Sequence, residues 1–185
     1  TSESFTAPAI VVGVDGSRAS AHAAVWGLDE AVGRELPLRL VAAAPPGAAP
    51  EGAQTAVHAA ERDIQNIGRP VTVEVEVVTG EPAAALLAAS RAAAMICVGA
   101  LGLKHFEHRV GSTIGALVAS AHCPVAVIRS ERRHGWVVVE VDETPDSAAV
   151  LQSGVEEARL RRAPLRVLGT WQSHDPDGHD ADERN

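Results

Sequence analysis

Three short stretches of this chain hold residue types whose spacing could do chemistry. The first is Gly99-x-x-Gly102, a spacer, and then Gly111-Ser112-Thr113. Apolar residues Met95 to Val98 precede it, and Ile114, Leu117, Val118 and Ala121 follow at helical spacing. Glycines let a bulky anion approach the backbone, and Ser112 or Thr113 can cap the helix that follows. The first N–H groups of that helix have no partner inside it, and with the helix dipole they make an anion site. Strand, glycine loop and helix start together outline a phosphate cradle. Ordinary turn geometry with an N-cap is the competing account. The second stretch is Asp15-Gly16-Ser17, which stops the β-branched run Ile10 to Val14; Asp15 can cap the helix beginning there. The third is the spacer itself, with Lys104, His105, Glu107, His108 and Arg109.

Other chemistry fits these residues less well. His105 and His108 have a metal-compatible i, i+3 spacing, but without a third placed ligand they read as a solvated loop. Lys104 and Arg109 can pair with a phosphate tail. The glycines form neither a P-loop, lacking the lysine of GxxxxGK[ST], nor a dinucleotide GxGxxG turn after the first strand. A nucleophile at Ser112 would need a histidine brought to it by the fold; a cap or phosphate ligand is the more economical role. Cys97 lies in an apolar run and Cys123 precedes Pro124, a spacing that fits two reduced thiols rather than a zinc site or redox pair.

The elements that must carry these residues follow from periodicity. Ile10 to Val14, Leu38 to Ala43, Val71 to Val78, Met95 to Val98 and Val125 to Ile128 read as strands. The first is continuous in β-branched residues, as in a parallel strand covered on both faces. The third alternates with Thr72, Glu74 and Glu76, as at a sheet edge. Helices are expected from Ser17 or Ser20 to Pro37, from Ala53 to Ile67, from Ala83 to Ala93, and after Ser112. The order β-α-β-α-β-α-β-α-β implies an α/β fold: a doubly wound, five-stranded parallel sheet with helices on both faces and strand order 3-2-1-4-5. Asp15 ends the first strand and Gly99 the fourth, so both turns meet at the topological switch point, where such sheets bind ligands.

After residue 130 the chain repeats its beginning. Residues 131–135 read as a linker, and Asp142 then aligns without gaps on Asp15, an offset of 127 residues. The same offset pairs Ser20 with Ser147, Glu30 with Glu157, and Arg34-x-x-Pro37-Leu38-Arg39 with Arg161-x-x-Pro164-Leu165-Arg166. The expected organisation is a first domain over 8–130, a partial β-α-β second copy over 136–172, and a disordered polar tail over 173–185. Trp26, Trp136 and Trp171 are expected in the core or between copies.

Composition narrows the function. The net charge of −8 argues against nonspecific nucleic-acid binding and anionic membrane surfaces. No apolar run nears the roughly 20 residues that span a bilayer, and the first residues do not resemble a signal peptide. A cytoplasmic location is the expectation.

The glycine pattern is similar to the nucleotide-binding signature of the universal stress protein family, G-x2-G-x9-G-(S/T), with eight spacer residues here, Leu103 to Val110. The resemblance covers both copies, and it implies a tandem protein with a truncated second copy. It implies a stress-response module binding ATP or a related adenine nucleotide between the first and fourth strands, with Mg2+ carried on the phosphates. By the same resemblance Asp15 meets ribose or adenine, the Ala43 backbone meets adenine, and Val98 lies against base or ribose. Gly99, Gly102, Gly111, Ser112 and Thr113 surround the phosphates, and Gly13 takes the place of a small residue or proline. The family's dimer contact would be the strand Val125 to Ile128, giving a homodimer or a pseudo-dimer with the second copy. The family reading is of a binding protein rather than an enzyme, with any ATP hydrolysis slow and incidental. The shortened spacer favours an alternative, a stress protein without nucleotide that acts through dimerisation and protein partners.

Overall fold

The computed structural model describes residues 8–100, 112–129 and 135–170, in two compact units dividing between Arg132 and Arg133. In the first unit β1 (Ala9–Gly13), β2 (Leu38–Ala44), β3 (Val73–Thr79), β4 (Ala93–Gly99) and β5 (Val125–Ile128) form one sheet in the order β3-β2-β1-β4-β5. Every neighbouring pair is parallel, with Val12 beside both Leu40 and Cys97. Parallel strands need crossovers, and α1 (Arg18–Arg34), α2 (Glu51–Ile67), α3 (Pro82–Ala89) and α4 (Ser112–Ser120) supply them. The expected α/β architecture and strand order are those observed.

The two faces of the sheet carry separate cores. Ile10, Val12, Leu38 and Leu40 pack with Ala23, Ala24, Leu28 and Ala31 of α1 and Val57 and Ile64 of α2. Val11, Val41, Ile96 and Val98 pack on the other face with Leu86 of α3 and Leu117 of α4. Alanines in α1 let it lie close to the sheet, and at Gly27 an added Cβ would come within 2.7 Å of Val12 Cγ2. Ser17 caps α1 by accepting the Ser20 N–H at 3.1 Å. Glu35 ends it in the left-handed conformation, φ 55°, one residue before Leu36 and Pro37.

Element limits differ from expectation where alanine hides the pattern. Helix α3 stops at Ala89 and β4 starts at Ala93, whereas the alanine run reads as helix to Ala93. Polar contacts decide the stop. The buried Ser90 hydroxyl donates to the Leu87 carbonyl at 2.7 Å, and its oxygen accepts the His122 N–H at 3.1 Å. The wet face of edge strand β3 is also used, since Glu74 accepts from the buried Arg39 of β2 at 2.9 Å.

The second unit contains β6 (Val137–Val141), α5 (Ser147–Arg161) and β7 (Leu165–Gly169), with β6 and β7 parallel and Val139 beside Val167. Its local details match those 127 residues earlier. Thr144 N–H donates to Asp142 Oδ1 at 2.9 Å, as Ser17 N–H donates to Asp15 Oδ1 at 2.9 Å. Glu157–Arg161 forms an ion pair at 2.9 Å, and Glu30–Arg34 one at 3.0 Å. Arg162 is left-handed, φ 50°, like Glu35. Gly154 lies against Val139 as Gly27 lies against Val12. Trp136 is not buried in a core, one of the two places expected for it. It is 52% exposed, and Arg166 lies over its ring, 4.6 Å from the centroid. Trp26 is partly buried against the core of the first unit, while Trp171, linker residues 131–134 and the tail lie outside the described residues.

Candidate functional site

At the carboxyl end of the first unit's sheet the strands stop at different heights, and the differences open a cavity of about 180 Å³. Its walls come from six elements and their turns: Gly13 from β1, Val14 and Asp15 from the turn after it, Ser20 from α1, Val41 and Ala43 from β2, Pro82, Ala85 and Leu86 from α3, Val98 and Gly99 from β4, Thr113 and Ile114 from α4. The space sits between β1 and β4, on the α3–α4 side of the sheet.

Chain direction explains what each wall presents. Beyond Gly13 the ladder continues one step, with Val14 N–H donating to the Val41 carbonyl at 2.8 Å. The chain then turns out at Asp15-Gly16, where Gly16 needs its positive φ of 78°. Strand β2 runs further. The Val41 carbonyl points toward β1 and that of Ala44 toward β3, where it accepts the Gly80 N–H at 2.8 Å. Alternation along a strand therefore turns the Ala43 N–H and carbonyl toward the β1 side, at a height where β1 has already left the sheet. Ala43 thus offers one donor and one acceptor beside the cavity.

Asp15 stands at the rim. Partial burial works against its ionisation, but hydrogen bonds from the Ser17 side chain and N–H and from Ser20 outweigh it and hold the carboxyl below its ordinary value. Asp15 is consequently a carboxylate at neutral pH and only accepts hydrogen bonds. Its Oδ1 is engaged by Ser17 N–H at 2.9 Å, and Ser20, which lines the cavity, donates its hydroxyl to the Ser17 carbonyl at 2.9 Å.

Gly99 has a packing role besides the one its spacing suggests. A Cβ there would strike the carbonyl carbon and oxygen of Ala19 and lie 2.7 Å from the Ser20 nitrogen. What comes close to Gly99 is therefore the first turn of α1, which the absent side chain lets settle over the end of β4. The effect on the site is indirect, since that turn carries Ser20 and anchors Asp15.

Of the residues selected from sequence, Gly13, Asp15, Ala43, Val98, Gly99 and Thr113 all line this one cavity. Ser112 begins α4 beside it and is exposed. Gly102, Gly111, Lys104, His105, Glu107, His108 and Arg109 lie outside the described residues. Sequence reasoning missed Val41, Ser20 and the wall made by Pro82, Ala85 and Leu86. Signals existed for them: Val41 is two residues from Ala43 on the same strand, and Pro82 and Leu86 are one helical turn apart after the third strand. Among the described residues no three His, Cys, Asp or Glu side chains group to hold a metal. Cys97 is buried, and burial pushes the Cys123 thiol above its ordinary value, against only a lowering contact with the Ile96 backbone.

The crevice at the switch point of an open parallel sheet is the place where doubly wound α/β folds take their ligands. The chain belongs to the universal stress protein family: the family model matches residues 8–129. A universal stress protein of Mycobacterium tuberculosis is 44% identical over 186 residues, which span 92% of this chain and 68% of that protein. Among solved structures, a universal stress protein in complex with cAMP matches with a TM-score of 0.57 and 24% identity, covering 67% of this chain and 98% of its own. One from Archaeoglobus fulgidus in complex with dAMP matches with a TM-score of 0.55 and 23% identity, covering 68% of this chain and 100% of its own. Among the described residues no helix is long and apolar enough to cross a membrane.

Proposed function

We propose that the first unit is a stress-response module that binds an adenine nucleotide, ATP or a relative of it, in the switch-point cavity. The observation that carries the reading is the convergence of Gly13, Asp15, Ala43, Val98, Gly99 and Thr113, drawn from separate segments, on one space. The wall chemistry supports one orientation of the ligand. The Ala43 N–H and carbonyl match the N1 acceptor and N6 donor of adenine. Val41, Val98 and Leu86 supply apolar contact for its ring. Asp15, an anion that only accepts, suits ribose hydroxyls and repels phosphates. The phosphates then fall at the other end of the cavity, toward the described start of α4 at Ser112 and Thr113, since the first amides of a helix have no partner within it. Mg2+ would ride on the phosphates. The solved relatives with cAMP and dAMP support the nucleotide class.

Binding rather than catalysis is the role we assign. Asp15 is committed to its turn and the Cys123 thiol is held protonated, so neither is an activated nucleophile. We further propose that residues 136–172 are the start of a second copy, supported by the repeated turn, ion pair and helix end.

Isothermal titration with AMP, cAMP and ATP, the last with and without Mg2+, tests the nucleotide reading. Saturable binding that Asp15→Ala weakens at least ten-fold supports it; no heat at millimolar nucleotide from folded protein refutes it. A second reading has its own support. Val127 on edge strand β5 is 37% exposed and Val118 on α4 is 69% exposed, an apolar edge suited to pairing with another sheet. Dimerisation without nucleotide binding, seen by analytical ultracentrifugation and lost in Val127→Lys, would favour that alternative.

A further inference from the structure

We propose that Leu86 is the depth stop of the cavity and, with Gly13 beneath it, decides which bases the site accepts. The inference rests on the adenine-nucleotide reading above and goes beyond it to the choice among purine rings.

Leu86 lies on α3 one turn in from Pro82 and is 4% exposed, yet it lines the cavity. Its rear packs into the core formed by Val11, Val41, Ile96 and Val98. Its remaining exposed part lines the cavity, on the ligand side. A Cβ placed on Gly13 would lie 2.9 Å from Leu86 Cδ1, 3.5 Å from Leu86 Cδ2 and 3.4 Å from Val98 Cγ1. Leu86 therefore occupies the volume that a side chain at position 13 would take, and glycine there lets it sit down on the sheet. An added methyl at 13 must displace Leu86, and a close-packed core leaves the cavity as the direction of escape. Shortening Leu86 has the opposite effect and deepens the space by about one methylene. The walls around it, Val41, Val98 and Ala85, are aliphatic, so this end discriminates by shape and not by hydrogen bonding. In an apolar pocket one methylene changes affinity by roughly 10–200-fold.

Both directions can be read with one ligand set: AMP and its 2-methyl, N6-methyl and 8-methyl analogues. These are titrated calorimetrically into the wild type, Leu86→Val and Gly13→Ala, each shown folded by circular dichroism. The expected result is that the wild type binds AMP but loses about ten-fold or more with one analogue. Leu86→Val recovers that analogue relative to AMP by a similar factor. Gly13→Ala weakens AMP itself and worsens the disfavoured analogue most. Equal changes across all four ligands in both variants would overturn the depth stop while leaving nucleotide binding in place. So would a wild type that binds all four alike. A folded wild type that binds none of them removes the nucleotide reading and this inference with it.

Discussion

Replacing Gly99 by alanine separates two explanations of a glycine that ends a strand beside a ligand cavity. If Gly99 is small because a phosphate must approach it, the substitution weakens binding and leaves the unliganded protein alone. The structure argues otherwise. The new Cβ would fall on the Ala19 carbonyl and within 2.7 Å of the Ser20 nitrogen, all backbone atoms of the first turn of α1. A rotamer change cannot relieve a clash with backbone, so the cost belongs near the top of the ~1–3 kcal/mol seen for overpacking. Restricting the unfolded chain offsets about 0.4–1 kcal/mol of it. The net destabilisation is then about 2 kcal/mol, and at about 4 °C per kcal/mol for a unit of this size the midpoint falls by roughly 8 °C. Thermal melts followed by circular dichroism, without any nucleotide, measure it. Gly52→Ala is the counter-experiment: Gly52 lies in α2 with nothing within 4 Å of its added Cβ, so stability should rise by about 0.5 kcal/mol. A Gly99→Ala protein that melts with the wild type but no longer binds nucleotide would refute the packing argument.

The remaining predictions concern the first turn and its repeat. The Asp15 carboxyl is held below its usual value, so its stabilisation is present above the unfolded pKa of about 3.8 and lost as pH falls through the lower folded value. Asp15→Asn should therefore cost about 1 kcal/mol at pH 7, discounted for its exposure, and progressively less as pH falls below about 3.8; urea titrations at pH 7 and pH 3 show whether the difference narrows. Ser17→Ala removes the N-cap of α1 and should cost about 1 kcal/mol in the same assay, with a pH-dependence weaker than that of Asp15→Asn because Ser17 carries no charge. Gly27→Ala and Gly154→Ala press a methyl onto Val12 and Val139 respectively, and each should lose about 1–3 kcal/mol. Differential scanning calorimetry would detect both, and a silent Gly154→Ala would contradict the close helix–sheet approach in the second unit.

Much of the fold is written in local patterns. Continuous β-branched runs such as Ile10 to Val14 demand cover on both faces, and alternating elements then leave a parallel sheet as the economical solution. Pro37, Gly68 and Gly80 mark turns by backbone chemistry that needs no distant partner. Elements whose composition is nearly uniform are harder. Nothing in the run from Ala83 to Ala94 marks where helix gives way to strand, and the division falls where Ser90 meets Leu87 and also His122, thirty-two residues away.

The sequence by itself determined the chemistry available at the two turns, because residue type and adjacency suffice to say that Asp15 is an acceptor and that a helix opens near Ser112. It also carried the 127-residue repeat, which is a property of order along the chain. Only the tertiary structure decided what those residues face. Strand β1 leaves the sheet before β2 does, and this turns the Ala43 backbone toward open space. The first turn of α1 rests on Gly99, so that glycine serves packing before it serves a ligand. Leu86 reaches the cavity because α3 crosses Gly13. Each of these depends on which atoms share a few ångströms across elements far apart in sequence, and such distances have no signature along a single chain.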